Sequence, residues 1–208
     1  EEKAYIDDQI VMGAWTAPAE AGVHTLKILT PYEEIARVAI FVMEPSRSIS
    51  KKGFIGKYRI GHYPRNTPKG FIKLDKDDRN IQISPHFKVG QFLCKQQPGT
   101  WPKYLIVSED NLLRLETLLD DLNEKRDTEA DTLFVMSGFR TPFYNIAIGS
   151  AKFSRHMYGD AADVYVDTKP RDGNMDDLNR DGKITKADAN FLYDYAGKLF
   201  KEKKLKPG

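Results

Sequence analysis

The interpretation of this sequence depends on one stretch, Ser154-Arg155-His156-Met157-Tyr158-Gly159-Asp160-Ala161-Ala162-Asp163. It places an imidazole seven residues before a carboxylate, with glycine and alanine between them. Because small residues let the backbone turn closely, His156 and Asp163 could both aim at one point. These groups are two of the ligand types of a catalytic zinc, which needs a third protein ligand and keeps a position for water. From spacing alone, two ordinary surface residues are the commoner explanation of such a pattern.

An arginine-containing segment precedes this stretch. Residues 132–136 form an apolar run that predicts a buried strand, and Ser137-Gly138-Phe139-Arg140-Thr141-Pro142 follows it directly. Residues 161–166 predict a second strand. Arg140 therefore lies just past the end of a strand, a position from which side chains often reach a site.

Taken together, the segments SGFRTPFYN (137–145) and SRHMYGDAADV (154–164) resemble the two signatures of the zinc D,D-carboxypeptidases. These enzymes are the A-type branch of peptidase family M15, have a Hedgehog-like peptidase fold and cleave peptidoglycan stem peptides. Every fixed position of the patterns S-G-[YF]-R and S-x-H-x-x-G-x-A-x-D is present. Ser84-Pro85-His86-Phe87 is similar to the entry segment of the family, so the resemblance extends over residues 84–167.

The resemblance implies that His156 and Asp163 are zinc ligands and that Arg140 is the catalytic cationic partner of the substrate. A bound zinc would polarise the scissile carbonyl and lower the pKa of its water towards about 7. The guanidinium of Arg140 would stabilise developing negative charge or bind a carboxylate. A structural ion pair is the alternative role for Arg140.

The sequence departs from the family in one respect. Family members take a third zinc ligand and the general base from a later strand with a histidine, whereas no histidine follows Asp163. The others, His24, His62 and His86, all lie upstream. Either the sequence ends before that strand, which we favour, or the protein is a degenerate relative. We expect residues 1–208 alone to be weakly active or inactive.

Residues 177–188 fit the twelve-residue calcium loop of EF-hand and dockerin-like sites. Gly182 occupies the sharp turn at position 6. The loop supplies oxygen ligands at positions 1, 3, 5, 7 and 12, which are Asp177, Asn179, Asp181, the carbonyl of Lys183, and Asp188. An aspartate-rich turn that caps the next helix is the alternative.

This loop differs from a complete EF-hand. Residues 169–174 predict turns instead of an entering helix, Asp188 is shorter than the usual glutamate, and no second loop is present. The helix that follows carries apolar residues at helical spacing, namely Phe191, Leu192, Tyr195 and Leu199. We therefore expect a structural Ca²⁺ site that holds this helix against the catalytic sheet.

The order of predicted elements indicates an α+β chain of two domains. Strand patterns at residues 23–29, 37–43 and 57–60 predict a β-rich, immunoglobulin-like accessory domain of sandwich type over residues 1–83. Residues 84–208 then predict an M15-like peptidase domain with the calcium loop as an insertion. Within it, Ser108 caps a helix that reaches about Lys125, and a closing helix covers residues 187–205.

Composition excludes several classes of protein. The 208 residues include 32 Lys and Arg against 30 Asp and Glu, a balance that gives no reason to expect nucleic acid as a partner. The longest apolar run is far shorter than the roughly 20 residues needed to cross a bilayer. The single cysteine, Cys94, lies among bulky apolar residues and predicts a buried thiol. We expect a monomer.

The function predicted is that of a zinc metallopeptidase, of D,D-carboxypeptidase or endopeptidase type, whose partners are peptidoglycan peptides. The resemblance also implies a periplasmic or cell-envelope location. The first alternative is an inactive wall-binding protein that keeps the peptidase fold. The second is a calcium-dependent adhesion or scaffold module, in which the N-terminal β domain does the binding.

Overall fold

A computed structural model of the chain describes residues 4–5, 16–29, 32–126, 128–168 and 170–205. The outer limits of the two predicted domains, Glu1 and Gly208, and Lys169 at the start of the predicted turns lie outside the described residues. In the described part, no helix is both long and apolar enough to span a membrane.

The described elements confirm a mixed α+β chain. The helices are α1 (Glu109–Arg126), α2 (Pro142–Ala147) and α3 (Lys186–Glu202). The strands are β1 (Ala4–Tyr5), β2 (Gly22–Leu29), β3 (Glu34–Val42), β4 (Glu44–Pro45), β5 (Phe54–Ile55), β6 (Tyr58–Arg59), β7 (Gly70–Leu74), β8 (Lys103–Leu105), β9 (Phe134–Ser137) and β10 (Asp163–Tyr165).

The N-terminal part contains small sheets in which most strand pairs are antiparallel. Strands β2 and β3 form a long hairpin, and β1 pairs in parallel with β2. The alternating apolar pattern of residues 23–29 explains β2, because successive side chains of a strand point to opposite faces. Strands β5 and β6 pair with each other. The sandwich-like arrangement of this part stays a prediction.

Strand pairing and the apolar core both run across residue 83. In the β4-β7-β8 sheet, Ile72 of β7 pairs with Leu105 of β8. Phe71 and Leu74 of β7 are fully buried in the same cluster as Phe87 from the other side of residue 83. The division into domains at residue 83 remains a prediction, and these contacts join its two sides.

Helix α1 has the predicted cap and apolar stripe. The Ser108 hydroxyl accepts a hydrogen bond from the Asn111 amide at 3.1 Å, which satisfies one of the free N–H groups at the helix start. Leu115, Leu119 and Leu122 are buried on one face. Helix α1 is therefore anchored in the core by this face, and the neighbouring loops are held against the helix.

Strands β9 and β10 form an antiparallel pair in which Ser137 lies opposite Asp163. Most of the strand predicted over residues 132–136 is present as β9, and Leu133 is fully buried, but the prediction that the strand is buried is wrong for Phe134 and Met136, which are exposed. One face of this two-stranded sheet is open to solvent, and Phe134 stacks on Tyr165 there with ring centroids 4.6 Å apart. An apolar run can thus belong to a strand that is buried on one face only.

Helix α3 begins at a capping threonine and lies along α1. The Thr185 hydroxyl accepts a hydrogen bond from the Ala187 amide at 3.1 Å. The Tyr195 hydroxyl donates to Asp121 of α1, and the Arg126 guanidinium lies 4.9 Å from the centre of the Phe191 ring. We expected the catalytic sheet as the partner of this helix, but these contacts are with α1.

The thiol of Cys94 is buried, as predicted. Burial raises the pKa of this thiol, with weaker opposing hydrogen bonds from Gln96 and Thr141. A thiol that stays protonated is a poor nucleophile, so Cys94 belongs to the core.

Candidate metal centre

The fold brings the three predicted residues of the zinc site together. Asp163 is the first residue of β10, and His156 lies in the short 3₁₀ helix Arg155–Tyr158. Arg140 follows the end of β9, and its backbone amide donates to the His156 carbonyl at 3.1 Å. The two sequence signatures therefore meet at one end of the β9–β10 pair.

The ring of His156 is held in one orientation. Its Nδ1 lies 2.7 Å from the Gly138 carbonyl oxygen, which can only accept a hydrogen bond. Nδ1 therefore donates its proton to this carbonyl, and Nε2 is the ring nitrogen that faces Asp163. Metal-binding histidines are fixed in the same way, by a backbone carbonyl on the other ring nitrogen.

The two carboxylate oxygens of Asp163 face different partners. Oδ1 lies 3.4 Å from Nε2 of His156, and Oδ2 accepts a hydrogen bond from the Arg140 guanidinium. The polar contact with the His156 ring lowers the pKa of the Asp163 carboxyl, and the charge of Arg140 acts in the same direction against the effect of burial. Asp163 is thus a carboxylate at neutral pH, and its side chain keeps 40% of its surface exposed.

Two serines, neither of which was predicted, fix the position of Arg140. Its Nε donates to the Ser137 hydroxyl at 2.9 Å, and its Nη1 donates to the Ser150 hydroxyl at 3.4 Å. Ser137 is the first residue of the S-G-[YF]-R signature, so the sequence held a signal for it. No motif pointed to Ser150. Together with Asp163, these contacts hold the guanidinium beside the His156–Asp163 pair.

Glycines allow the segments of the site to lie against their neighbours. A Cβ on Gly138 would lie 2.6 Å from Cα of Phe92, and one on Gly159 would lie 2.3 Å from the Ile106 carbonyl oxygen. Gly159 also has a φ of 68°, in the left-handed region that favours glycine. Both signature glycines are therefore required by close backbone contacts.

Arg114 of α1 clamps the turn that joins the two candidate ligands. This buried guanidinium donates to the backbone carbonyl and to Oδ1 of Asp160, each at 2.8 Å. The amide of Ser108 also donates to the Gly159 carbonyl at 3.0 Å. Asp160 is a variable position of the family pattern, and sequence reasoning missed it. The turn between His156 and Asp163 is therefore tied to the start of α1.

The geometry of the pair fits a tetrahedral zinc. With zinc–ligand distances of about 2.0–2.1 Å, two ligands of one tetrahedral ion are about 3.3 Å apart. His156 Nε2 and Asp163 Oδ1 are 3.4 Å apart. Zinc binds a histidine through an unprotonated ring nitrogen, and with Nδ1 donating to the Gly138 carbonyl that nitrogen would be Nε2; the Asp163 carboxylate is already ionised, as zinc requires.

A third side-chain ligand is absent from the described part of the chain. The only group of three or more His, Cys, Asp or Glu side chains found there that could hold a metal excludes both His156 and Asp163. His24 contacts the Glu20 carbonyl, His86 contacts Glu116, and His62 is exposed. The described residues thus supply two of the ligands that a zinc centre needs.

The first half of the predicted calcium loop turns its oxygen side chains inward. The Asp177 carboxylate accepts hydrogen bonds from the amides of Asp181 and Gly182, at 3.1 and 2.7 Å. The Asn179 carbonyl oxygen accepts from the Asp181 amide at 2.9 Å, and the Asp181 carboxylate accepts from the Lys183 amide at the same distance. Gly182 has a φ of 82°, as the sharp turn requires.

The last residue of the loop, Asp188, closes it from α3. Its carboxylate accepts hydrogen bonds from the amides of Asn179 and Thr185, at 3.2 and 2.8 Å, and the residue is fully buried. The Thr185 hydrogen bond is the main cause of a lowered pKa for Asp188, so its carboxylate stays charged. Asp188, at position 12, is therefore tied from α3 to the turn that carries positions 1, 3 and 5.

Comparison with known families agrees with this geometry. A two-stranded sheet that presents His, Asp and Arg at one end defines a candidate metallopeptidase centre. The sequence model of the family described as Peptidase M15 matches residues 85–189, about half of the chain, and the chain therefore belongs to the peptidase M15 family. No curated protein and no solved structure matches the chain.

Proposed function

We propose that the protein is a zinc-dependent peptidase that hydrolyses peptide bonds in peptidoglycan stem peptides, as a D,D-carboxypeptidase or an endopeptidase. Membership of the M15 family supports a metallopeptidase of the peptidoglycan-hydrolase type. The observation that carries the zinc proposal is the 3.4 Å separation of His156 Nε2 and Asp163 Oδ1, with His156 Nδ1 fixed on a carbonyl.

Different residues of the chain would have different roles in such a site. His156 and Asp163 would hold the zinc, which when bound supplies a Lewis acid and a water of lowered pKa. The Gly138 carbonyl and the clamp of Arg114 on Asp160 keep these two ligands oriented. Such a site would also need a third protein ligand and a general base, and the described residues place no third ligand atom together with His156 and Asp163.

Arg140 would supply positive charge at the position where the substrate gains negative charge during hydrolysis. Its guanidinium is held by Ser137, Ser150 and Asp163 at the edge of the pair. A guanidinium has five N–H donors and these contacts use three, so the other two would serve a peptide carbonyl oxygen as it gains charge, or the terminal carboxylate of a stem peptide. A fixed donor of this kind costs little reorganisation during the reaction.

Hydrolysis of a peptide that ends in D-Ala-D-Ala tests the proposal, with the protein at its full natural length and with added zinc. We expect release of D-alanine or internal cleavage, abolished in His156→Ala. Arg140→Ala should lower kcat/KM about 100- to 1,000-fold. A matched control is His62→Ala, which changes an exposed histidine and should leave the rate unaltered. Equal rates for His156→Ala and His62→Ala would refute the proposal.

A wall-binding protein without activity is the second candidate. The ion pair between Arg140 and Asp163 supports it, because this pair satisfies Oδ2 of the carboxylate without any metal. This candidate predicts that muropeptides bind equally well with zinc and with a chelator. Binding that requires zinc would favour the enzyme.

The calcium loop, the accessory domain and the location complete the proposal. A structural Ca²⁺ would be held by Asp177, Asn179, Asp181, Asp188 and the Lys183 carbonyl. The inward-facing oxygens of the loop support this site. Residues 1–83 would be an immunoglobulin-like accessory domain of sandwich type. A peptidoglycan substrate would place the protein in the periplasm or cell envelope, where we expect it to act as a monomer.

A further inference from the structure

A second group of potential metal ligands lies on α1, outside the His156–Asp163 pair. Glu116 and Asp120 are four residues apart, so they lie on the same face of the helix. His86, from the loop before α1, completes the group. Each of the three residues offers a ligand atom, and the three atoms lie within 4.8 Å of one another.

The position of His86 is fixed before any ion binds. The Glu116 carboxylate accepts a hydrogen bond from the His86 amide at 2.9 Å and lies 2.6 Å from its Nδ1. The next residue, Phe87, is fully buried, and its carbonyl accepts from the Ile83 amide at 3.0 Å. The backbone of His86 is therefore held beside Glu116 on the helix, and an ion bound through Nδ1 would replace the hydrogen bond between Nδ1 and Glu116.

The charge of the group is not balanced by its own members. Two carboxylates one helical turn apart on a helix repel each other. His86 interacts with Glu116. Within the described residues, the exposed carboxylate of Asp120 makes no hydrogen bond or ion pair. A divalent cation between the three groups would neutralise this excess negative charge.

The ligand types select the kind of ion. Ca²⁺ takes oxygen ligands only, whereas an imidazole with two carboxylates suits Zn²⁺, Mn²⁺ or Co²⁺. Glu116 is mostly buried, whereas His86 is about one-third exposed and Asp120 is exposed. Water can therefore fill the remaining coordination positions. We propose that His86, Glu116 and Asp120 form a second site, for a divalent transition-metal ion, that ties the loop before α1 to the helix.

Calorimetric titration with Zn²⁺ tests this site. The protein carries His156→Ala, which removes the first zinc pair, and saturating Ca²⁺ occupies the loop at residues 177–188. We expect one Zn²⁺ to bind per chain. The further change Asp120→Asn should weaken this binding at least about tenfold, since loss even of an indirect partner of a metal costs that much. Asp110→Asn, which alters another exposed carboxylate of α1, should leave it unchanged.

Two results would overturn the proposal. One is the absence of zinc binding in the His156→Ala protein, and the other is equal affinity for zinc with and without Asp120→Asn. Thermal melting without zinc checks that each variant folds. If Asp120→Asn proves unfolded, His86→Gln takes its place, and undiminished zinc binding in that variant overturns the site. The outcome is independent of the peptidase proposal, because His156 is absent throughout.

Discussion

Nε2 of His156 and Oδ1 of Asp163 lie 3.4 Å apart, close to the edge of the tetrahedron that zinc forms with its ligands. This distance is set by the antiparallel pairing of β9 and β10 and by the turn between the two residues. Arg140 contacts only the other oxygen of the carboxylate. The same Asp163 can therefore serve an ion and a cationic partner together.

The first prediction concerns Gly159, which has a left-handed backbone conformation in the turn between His156 and Asp163. We expect Gly159→Ala to lower the free energy of unfolding by about 3 kcal/mol, because backbone strain and a contact of 2.3 Å with the Ile106 carbonyl add up. Gly149→Ala is the matched control, with a φ of 65° and open space around its Cβ, and should cost about 1 kcal/mol. Urea unfolding measures both, and similar losses would contradict the role of the close contact.

The clamp on Asp160 predicts a dependence of stability on pH. Partial burial acts to raise the pKa of Asp160, but hydrogen bonds from Arg114 and Arg155 outweigh it and lower the pKa below 3.8. Above the unfolded pKa the stabilisation is present in full, and it is lost as the pH falls through the folded pKa. Asp160→Asn should therefore cost about 2 kcal/mol near neutral pH and progressively less below about pH 4.

Unfolding experiments from pH 7 to pH 2 measure this difference. The control is Asp194→Asn, which changes an exposed carboxylate of α3 and should show little cost at any pH. A cost for Asp160→Asn that stays constant down to pH 2 would show that the ion pair with Arg114 is not its cause.

The loop at residues 177–188 predicts calcium-dependent stability. Bound Ca²⁺ stabilises the folded chain by about 2.7 kcal/mol at a concentration of 100 times Kd, which raises the Tm by several degrees. Asp177→Asn should abolish most of this rise, since Asp177 accepts two hydrogen bonds within the loop and is its first proposed ligand. Asp194→Asn again serves as the control. A Tm that does not respond to Ca²⁺ would contradict the calcium proposal.

The elements around the site followed from the sequence because their signals are local. Ser108 caps α1 as its position before an apolar stripe predicts, and the alternation of residues 23–29 became β2. The two signatures also named His156, Asp163 and Arg140, which the fold brings together. Such patterns depend on the conformational preferences of a short segment. They can therefore be recognised without knowledge of the tertiary contacts.

The parts that sequence reasoning missed depend on contacts between distant segments. Burial of the apolar run at residues 132–136 was wrong, because nothing local shows which face of a short sheet is covered. Arg114 and Asp160 are 46 residues apart in sequence, and His86 and Glu116 are 30 apart. Their pairing is a property of the folded chain, since no short motif contains both partners.

Anomalous diffraction at the zinc absorption edge, from crystals of the protein grown with Zn²⁺, tests the central proposal most directly. It locates the ion, so it separates this centre from the group on α1. We predict an anomalous peak within about 2.0–2.2 Å of both His156 Nε2 and Asp163 Oδ1, with Arg140 still on Oδ2. A crystal in which zinc occupies other positions, and in which His156 and Asp163 contact only each other and Arg140, would contradict it.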